Sequence, residues 1–200
     1  MRVISASRRT DIPAFYSRWF MNRIRAGFCE WANPFGGQVY RVSLRPEDCA
    51  GIVFWTRNPK PLLPHLDSLR REGYHFYFHY TITGYPRALE THVPPAEAAV
   101  AIFHQLAEAA SPDLVLWRYD PIVLSDLTPA DYHLRQFEAL CRQLEGYTSR
   151  CYFSFVSFYG KTRRNQVQVA RAQGAAFYEP ALEEQRRLAQ AGPQTAQAQR

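Results

Sequence analysis

Lysine is almost missing from this chain: all but two of its 24 basic residues are arginine, the exceptions being Lys60 and Lys161. No apolar run reaches the roughly twenty residues that a bilayer-crossing helix requires. The first residues also lack the apolar stretch of a secretory leader. The expectation is a cytoplasmic protein with no membrane partner. Cysteine is sparse and scattered, at Cys29, Cys49, Cys141 and Cys151, with no C-x-x-C pair. In a reducing compartment these read as separate thiols rather than as disulfides or a metal site. There is no P-loop, no G-x-G-x-x-G, no Ser-His-Asp arrangement and no internal repeat, so the best-marked phosphate-cradling and hydrolase motifs are ruled out.

What remains is a chain of 200 residues, 46% hydrophobic and 14% aromatic, enough to build one core. Five apolar runs have strand length: Val3–Ser7, Ile52–Thr56, His75–Ile82, Leu114–Arg118 and Cys151–Ser157. Most are apolar nearly throughout, which predicts strands covered on both faces. Between them, Pro13–Ala26, Leu62–Arg71, Pro95–Ala110 and Pro129–Leu144 show helical spacing of apolar residues, with Pro13 in a first turn and Gly146 as a stop. Strand alternating with helix predicts an α/β fold of right-handed crossovers. The expected form is an incomplete or open (β/α) barrel, TIM-barrel-like, of five to six parallel strands. Phe28–Asn33 and Val39–Leu44 flank Pro34-Phe35-Gly36-Gly37, which predicts an inserted hairpin over residues 28–44. Residues 1–190 are expected as one domain, and 191–200 as a low-complexity, disordered tail.

The ends of the strand-like runs carry the chemistry. The first leads into Arg8-Arg9-Thr10-Asp11, the second into Thr56-Arg57-Asn58-Pro59 and the third into Thr81-Ile82-Thr83-Gly84. The fourth ends in Arg118-Tyr119-Asp120-Pro121, and the fifth reaches Ser154, Ser157, Tyr159 and Lys161. In a parallel sheet all these ends meet at one rim, where ligands of such folds bind. Arg8, Arg9 and Arg118 are expected to grip a carboxylate or phosphate through paired hydrogen bonds. Thr56, Asn58, Thr81 and Thr83 would orient a substrate. Asp11 and Asp120 are the candidates for acid–base catalysis, or partners that hold the arginines. Taken singly, Asp11 equally suits a helix cap and Asp120 a turn before proline. Trp55, Trp117, Tyr80 and Tyr119 are divided between core packing and stacking on a ring. His75 and His79 share one strand face, without a carboxylate at ligand spacing, so no metal site is assigned. The run from Lys161 to Arg164 could track phosphates, but a solvated helical face suits it better.

The stretches "ISASRRTDIPAFYSRWFMNRI", "GIVFWTRNPKPLLPHL", "LVLWRYDPIVLSDLT" and "SFVSFYGKTRRN" resemble the bacterial family catalogued as domain of unknown function 1848, over residues 1 to about 187. Full-length members are similar to radical S-adenosylmethionine enzymes in a C-terminal cysteine cluster thought to hold iron and sulfur. The resemblance therefore implies an iron–sulfur cluster and S-adenosylmethionine in full-length relatives. Because the four cysteines here match none of the cluster positions, it implies no cofactor in this chain. The resemblance supports Arg8, Arg9, Asp11, Thr56, Asn58, Thr83, Arg118 and Asp120 as motif positions and assigns them no roles. The expectation is the substrate-binding portion of a radical-type enzyme, taking a small anionic or nucleotide-like ligand. The alternatives are a nucleic-acid-binding module, suggested by the net charge of +6, and a truncated fragment without activity.

Overall fold

A computed structural model describes residues 1–7, 9–33, 35–157, 167, 170, 172 and 174–197. Its chain order is strand β1 (Arg2–Ala6), helices α1 (Ile12–Phe15) and α2 (Ser17–Ala26), and the hairpin strands β2 (Phe28–Ala32) and β3 (Val39–Ser43). Then come β4 (Cys49–Thr56), α3 (Leu66–Arg71), β5 (Phe76–Thr81), α4 (Ala96–Ala110), β6 (Val115–Ile122) and β7 (Leu124–Ser125). The chain continues through α5 (Ala130–Leu144), β8 (Cys151–Phe155), β9 (Phe177–Tyr178) and α6 (Leu182–Gln197). Five strands form one sheet in the order β1-β4-β5-β6-β8, every neighbouring pair parallel. Strands β2 and β3 pair only with each other, antiparallel, so the hairpin is a separate ribbon. β9 pairs antiparallel with β7, which leaves five parallel strands among the described residues.

Because the parallel strands are neighbours in sequence order and right-handed crossovers connect them, the helices gather on one face of the sheet. The core shows it. Ile52, Phe54, Phe76, Phe78, Tyr80, Val115, Trp117 and Tyr119 join side chains from α2, α3, α4 and α5 in one buried cluster. Phe20 of α2 meets Phe54 edge-on at 5.3 Å, Tyr80 stacks on Phe103 of α4 at 5.4 Å, and Trp117 on Phe137 of α5 at 5.0 Å. Buried polar tips find partners: the Trp117 indole donates to the Ile82 carbonyl at 2.9 Å, and the Tyr80 hydroxyl to the Ala99 carbonyl at 3.0 Å.

The opposite face departs from the expectation of strands covered on both sides. It presents Ser5, Trp55, Tyr77, His79, Thr81, Arg118, Asp120, Tyr152 and Ser154, half-buried or exposed. Aromatic residues made these runs read as uniformly apolar, while their second-face positions carry rings with polar tips. The predicted helix at 13–26 is also two helices. The Ser17 hydroxyl donates to the Pro13 carbonyl at 2.6 Å, competing with the backbone for that acceptor. Tyr16, at φ −131°, turns the chain there. Gly27 then closes α2 in the left-handed region at φ 75°, its amide reaching the Ile24 carbonyl, and sends the chain into the hairpin.

Candidate functional site

At the carboxyl ends of β1, β4 and β5, beside Arg118 of β6, lies a hollow of about 370 Å³ lined by Ser7, Arg9, Thr10, Asp11, Trp55, Thr56, Arg57, Thr81 and Arg118. Register explains the convergence. Trp55 lies opposite His79, and Thr81 opposite Arg118, so residues far apart in sequence reach one level of the sheet. Five of the residues singled out from the strand ends, Arg9, Asp11, Thr56, Thr81 and Arg118, line this hollow. Arg8, Tyr159 and Lys161 to Arg164 lie outside the described residues.

Asp11 ties the hollow together. One carboxylate oxygen accepts from the Ala14 amide at 2.9 Å, capping α1, and the other from the Arg57 amide at 2.7 Å, across to the end of β4. Burial pushes its pKa above the usual carboxylate value, against the pull of those two amides, the Thr56 side chain and the Arg57 charge. Both oxygens are therefore engaged in holding backbone, which fits a structural clasp better than a free acid–base group. Thr56 is buried, and its hydroxyl accepts from the Asn58 amide at 2.9 Å. Asn58 is half-buried outside the lining of the hollow and accepts from the Lys60 amide at 3.2 Å.

Arg118 is paired with Asp120, which also accepts from the Ser154 hydroxyl. Its guanidinium lies 4.8 Å from the centre of the Trp55 ring. Trp55 donates to the Ser5 hydroxyl at 3.0 Å and stacks on His79 at 4.1 Å with the planes 11° apart. Burial, helped by the Arg118 charge, lowers the His79 pKa to about 4, so the ring is neutral at physiological pH. Its buried Nδ1 has no hydrogen-bond partner among the described residues. His75 precedes β5 and is exposed, so the two histidines do not form a ligand pair.

Sequence reasoning gave no site role to Arg57, to Glu90 or to the rings of the hairpin it predicted. Arg57 pairs with Glu90, and the Thr83 hydroxyl donates to the same carboxylate at 2.8 Å. Thr83 is thus buried behind the wall rather than in it. Glu90 comes from the loop between β5 and α4, where no periodicity marks it. Arg9 lies 5.4 Å over the Trp31 ring of β2 and has no carboxylate partner among the described residues. Of the four aromatic candidates, Trp55 lines the hollow, while Trp117, Tyr80 and Tyr119 are fully buried.

The family described as domain of unknown function (DUF1848) matches residues 3–200. The chain belongs to the DUF1848 family. No curated protein and no solved structure matches it. In this DUF1848 domain, the four thiols do not suit an iron–sulfur cluster of the kind that the family resemblance implies for full-length relatives. Cys29 lies on the hairpin, Cys49 opens β4, Cys141 is on α5 and Cys151 opens β8. Burial raises all four, Cys141 to about 11 and Cys151 to about 12, whereas a cluster binds thiolates. Among the described residues no three of His, Cys, Asp or Glu gather to hold a metal, and no helix is long and apolar enough to cross a membrane.

Proposed function

We propose that the strand-end hollow binds a small anionic or nucleotide-like ligand, on a scaffold of (β/α) barrel type. One observation carries this reading: Arg9, Arg57 and Arg118 line a single hollow whose only lining carboxylate among the described residues is Asp11. Glu90 pairs with Arg57 and Asp120 with Arg118, both carboxylate oxygens of Asp11 are taken up by backbone amides, and Arg9 has no carboxylate partner among the described residues. Arg9 is thus the cation left to meet a ligand, and Arg118 offers further N–H donors to the same hollow. Thr81, Thr10 and Ser7 supply neutral hydroxyls to the same space. A hollow of about 370 Å³ is in the range of small-molecule sites.

In the radical-type enzyme that the family resemblance implies, this hollow would be the substrate-binding portion. The residues described here supply ligand binding and not cluster ligation. The test is a calorimetric titration of the whole chain with inorganic phosphate, comparing the native protein with Arg9→Gln and Arg118→Gln. A charge-assisted hydrogen bond contributes about 1.5–3 kcal/mol, so each variant should weaken binding roughly ten- to a hundredfold. The melting temperature of Arg9→Gln should stay close to native, whereas Arg118→Gln also strips Asp120 of its counter-charge and should melt lower. Undiminished phosphate affinity in both variants returns the two arginines to a purely structural role.

A further inference from the structure

The hairpin does more than decorate the sheet. In its antiparallel register Cys29 faces Val42 and Trp31 faces Tyr40, so these four side chains share one side of the ribbon. Cys29 and Val42 pack against the core. Trp31 and Tyr40, one step further along, stack on each other at 4.8 Å with planes 17° apart, yet remain 43% and 39% exposed. Sealing the core explains the first pair and not the second. The Trp31 ring lies beneath the guanidinium of Arg9, and Arg9 lines the hollow. A flat aromatic surface therefore begins where the cationic wall ends.

We infer that the ligand is a mononucleotide, its phosphate held by Arg9 and Arg118 and its base stacked on the Trp31–Tyr40 pair of the hairpin. This inference rests on the anion-site reading and narrows it. A phosphate alone has no use for a half-exposed pair of rings, whereas a base presents a π-face that tryptophan and tyrosine both accept. Arg9 is the joint between the two halves: cation–π contact with Trp31 fixes the guanidinium that meets the phosphate.

The test titrates the whole chain with inorganic phosphate, ribose 5-phosphate, adenosine 5′-monophosphate and uridine 5′-monophosphate, at fixed salt. Both nucleotides should bind roughly ten- to a hundredfold more tightly than ribose 5-phosphate, the range expected for stacking one base. Trp31→Leu and Tyr40→Leu should each remove most of that preference. Tyr40→Leu leaves Arg9 and its tryptophan in place, so phosphate affinity should hold within about twofold there. Nucleotides binding no better than ribose 5-phosphate, or a preference unchanged in both leucine variants, overturns the inference and leaves the anion site standing. No binding of phosphate or of any phosphorylated ligand overturns the anion site and this inference with it. A single-stranded oligonucleotide bound far more tightly than either mononucleotide, with affinity falling steeply in salt, overturns the small-molecule assignment in favour of nucleic acid.

Discussion

The two faces of the parallel sheet divide the labour of this domain. On the helix side, alternate residues of β4, β5 and β6 are large and apolar, and the helices close over them. On the other side the same strands carry Trp55 stacked on His79, Arg118 paired with Asp120, and Thr81, all half-buried. A single strand thus serves both purposes through its period of two: Phe54 is core and Trp55, the next residue, lines the hollow. The apolar core is concentrated on one face and the proposed ligand site on the other.

That division can be broken most forcefully at Phe54. It is fully buried between Phe20, Phe76 and Phe78. Phe54→Ala should cost about 3–5 kcal/mol in a urea unfolding experiment. Phosphate affinity of the fraction still folded should stay near native. A large loss of affinity in that folded fraction would show that the two faces are coupled.

Asp11 lies where the faces meet, and its removal should cost less. Asp11→Ala loses a helix cap and the clasp to the Arg57 amide, about 2 kcal/mol together. The same variant should blunt phosphate binding by loosening the wall. Stability unchanged within about 0.5 kcal/mol would contradict the clasp.

The smallest effect is one of pH. The folded-state pKa of His79, near 4, lies below its unfolded value of 6.5. The unfolded chain therefore takes up this proton first, and the stabilisation present above pH 6.5 is lost as pH falls toward 4. Partial exposure screens the ring, so about 1–2 kcal/mol is expected rather than the full linkage value. Asp11 runs the other way: its pKa is raised, so its contribution is present below 3.8 and is lost as pH rises through its folded-state pKa. Urea midpoints from pH 7.5 down to 4.5 should show an acid decline that His79→Phe flattens, and an equal decline in the variant would assign it to other groups.

Much of this arrangement was legible in the residue order because it depends on local signals. Five apolar runs separated by helical spacings dictate parallel strands, and parallel strands dictate that Arg9, Asp11, Thr56, Thr81 and Arg118 meet at one rim. What stayed hidden depends on contacts between distant segments. Glu90 is 33 positions from Arg57, in a loop with no periodicity. The hairpin reads as an insertion, and nothing in its alternation says that Trp31 and Tyr40 extend past the core toward Arg9. The break at Tyr16 was masked because the apolar spacing of Phe15, Trp19, Phe20 and Ile24 suits one continuous helix. A hydroxyl one residue further on decides otherwise.

Arg118 and its carboxylate partner stand two positions apart on the same strand, so the spacing between their backbones is fixed by the pleat itself. A long arginine side chain ordinarily gives up considerable rotational freedom when it captures a ligand. Here the Asp120 carboxylate, itself steadied by a serine from the adjoining strand, has already confined the guanidinium before anything arrives. The ordering is completed when the chain folds, so a later visitor meets a donor already aimed.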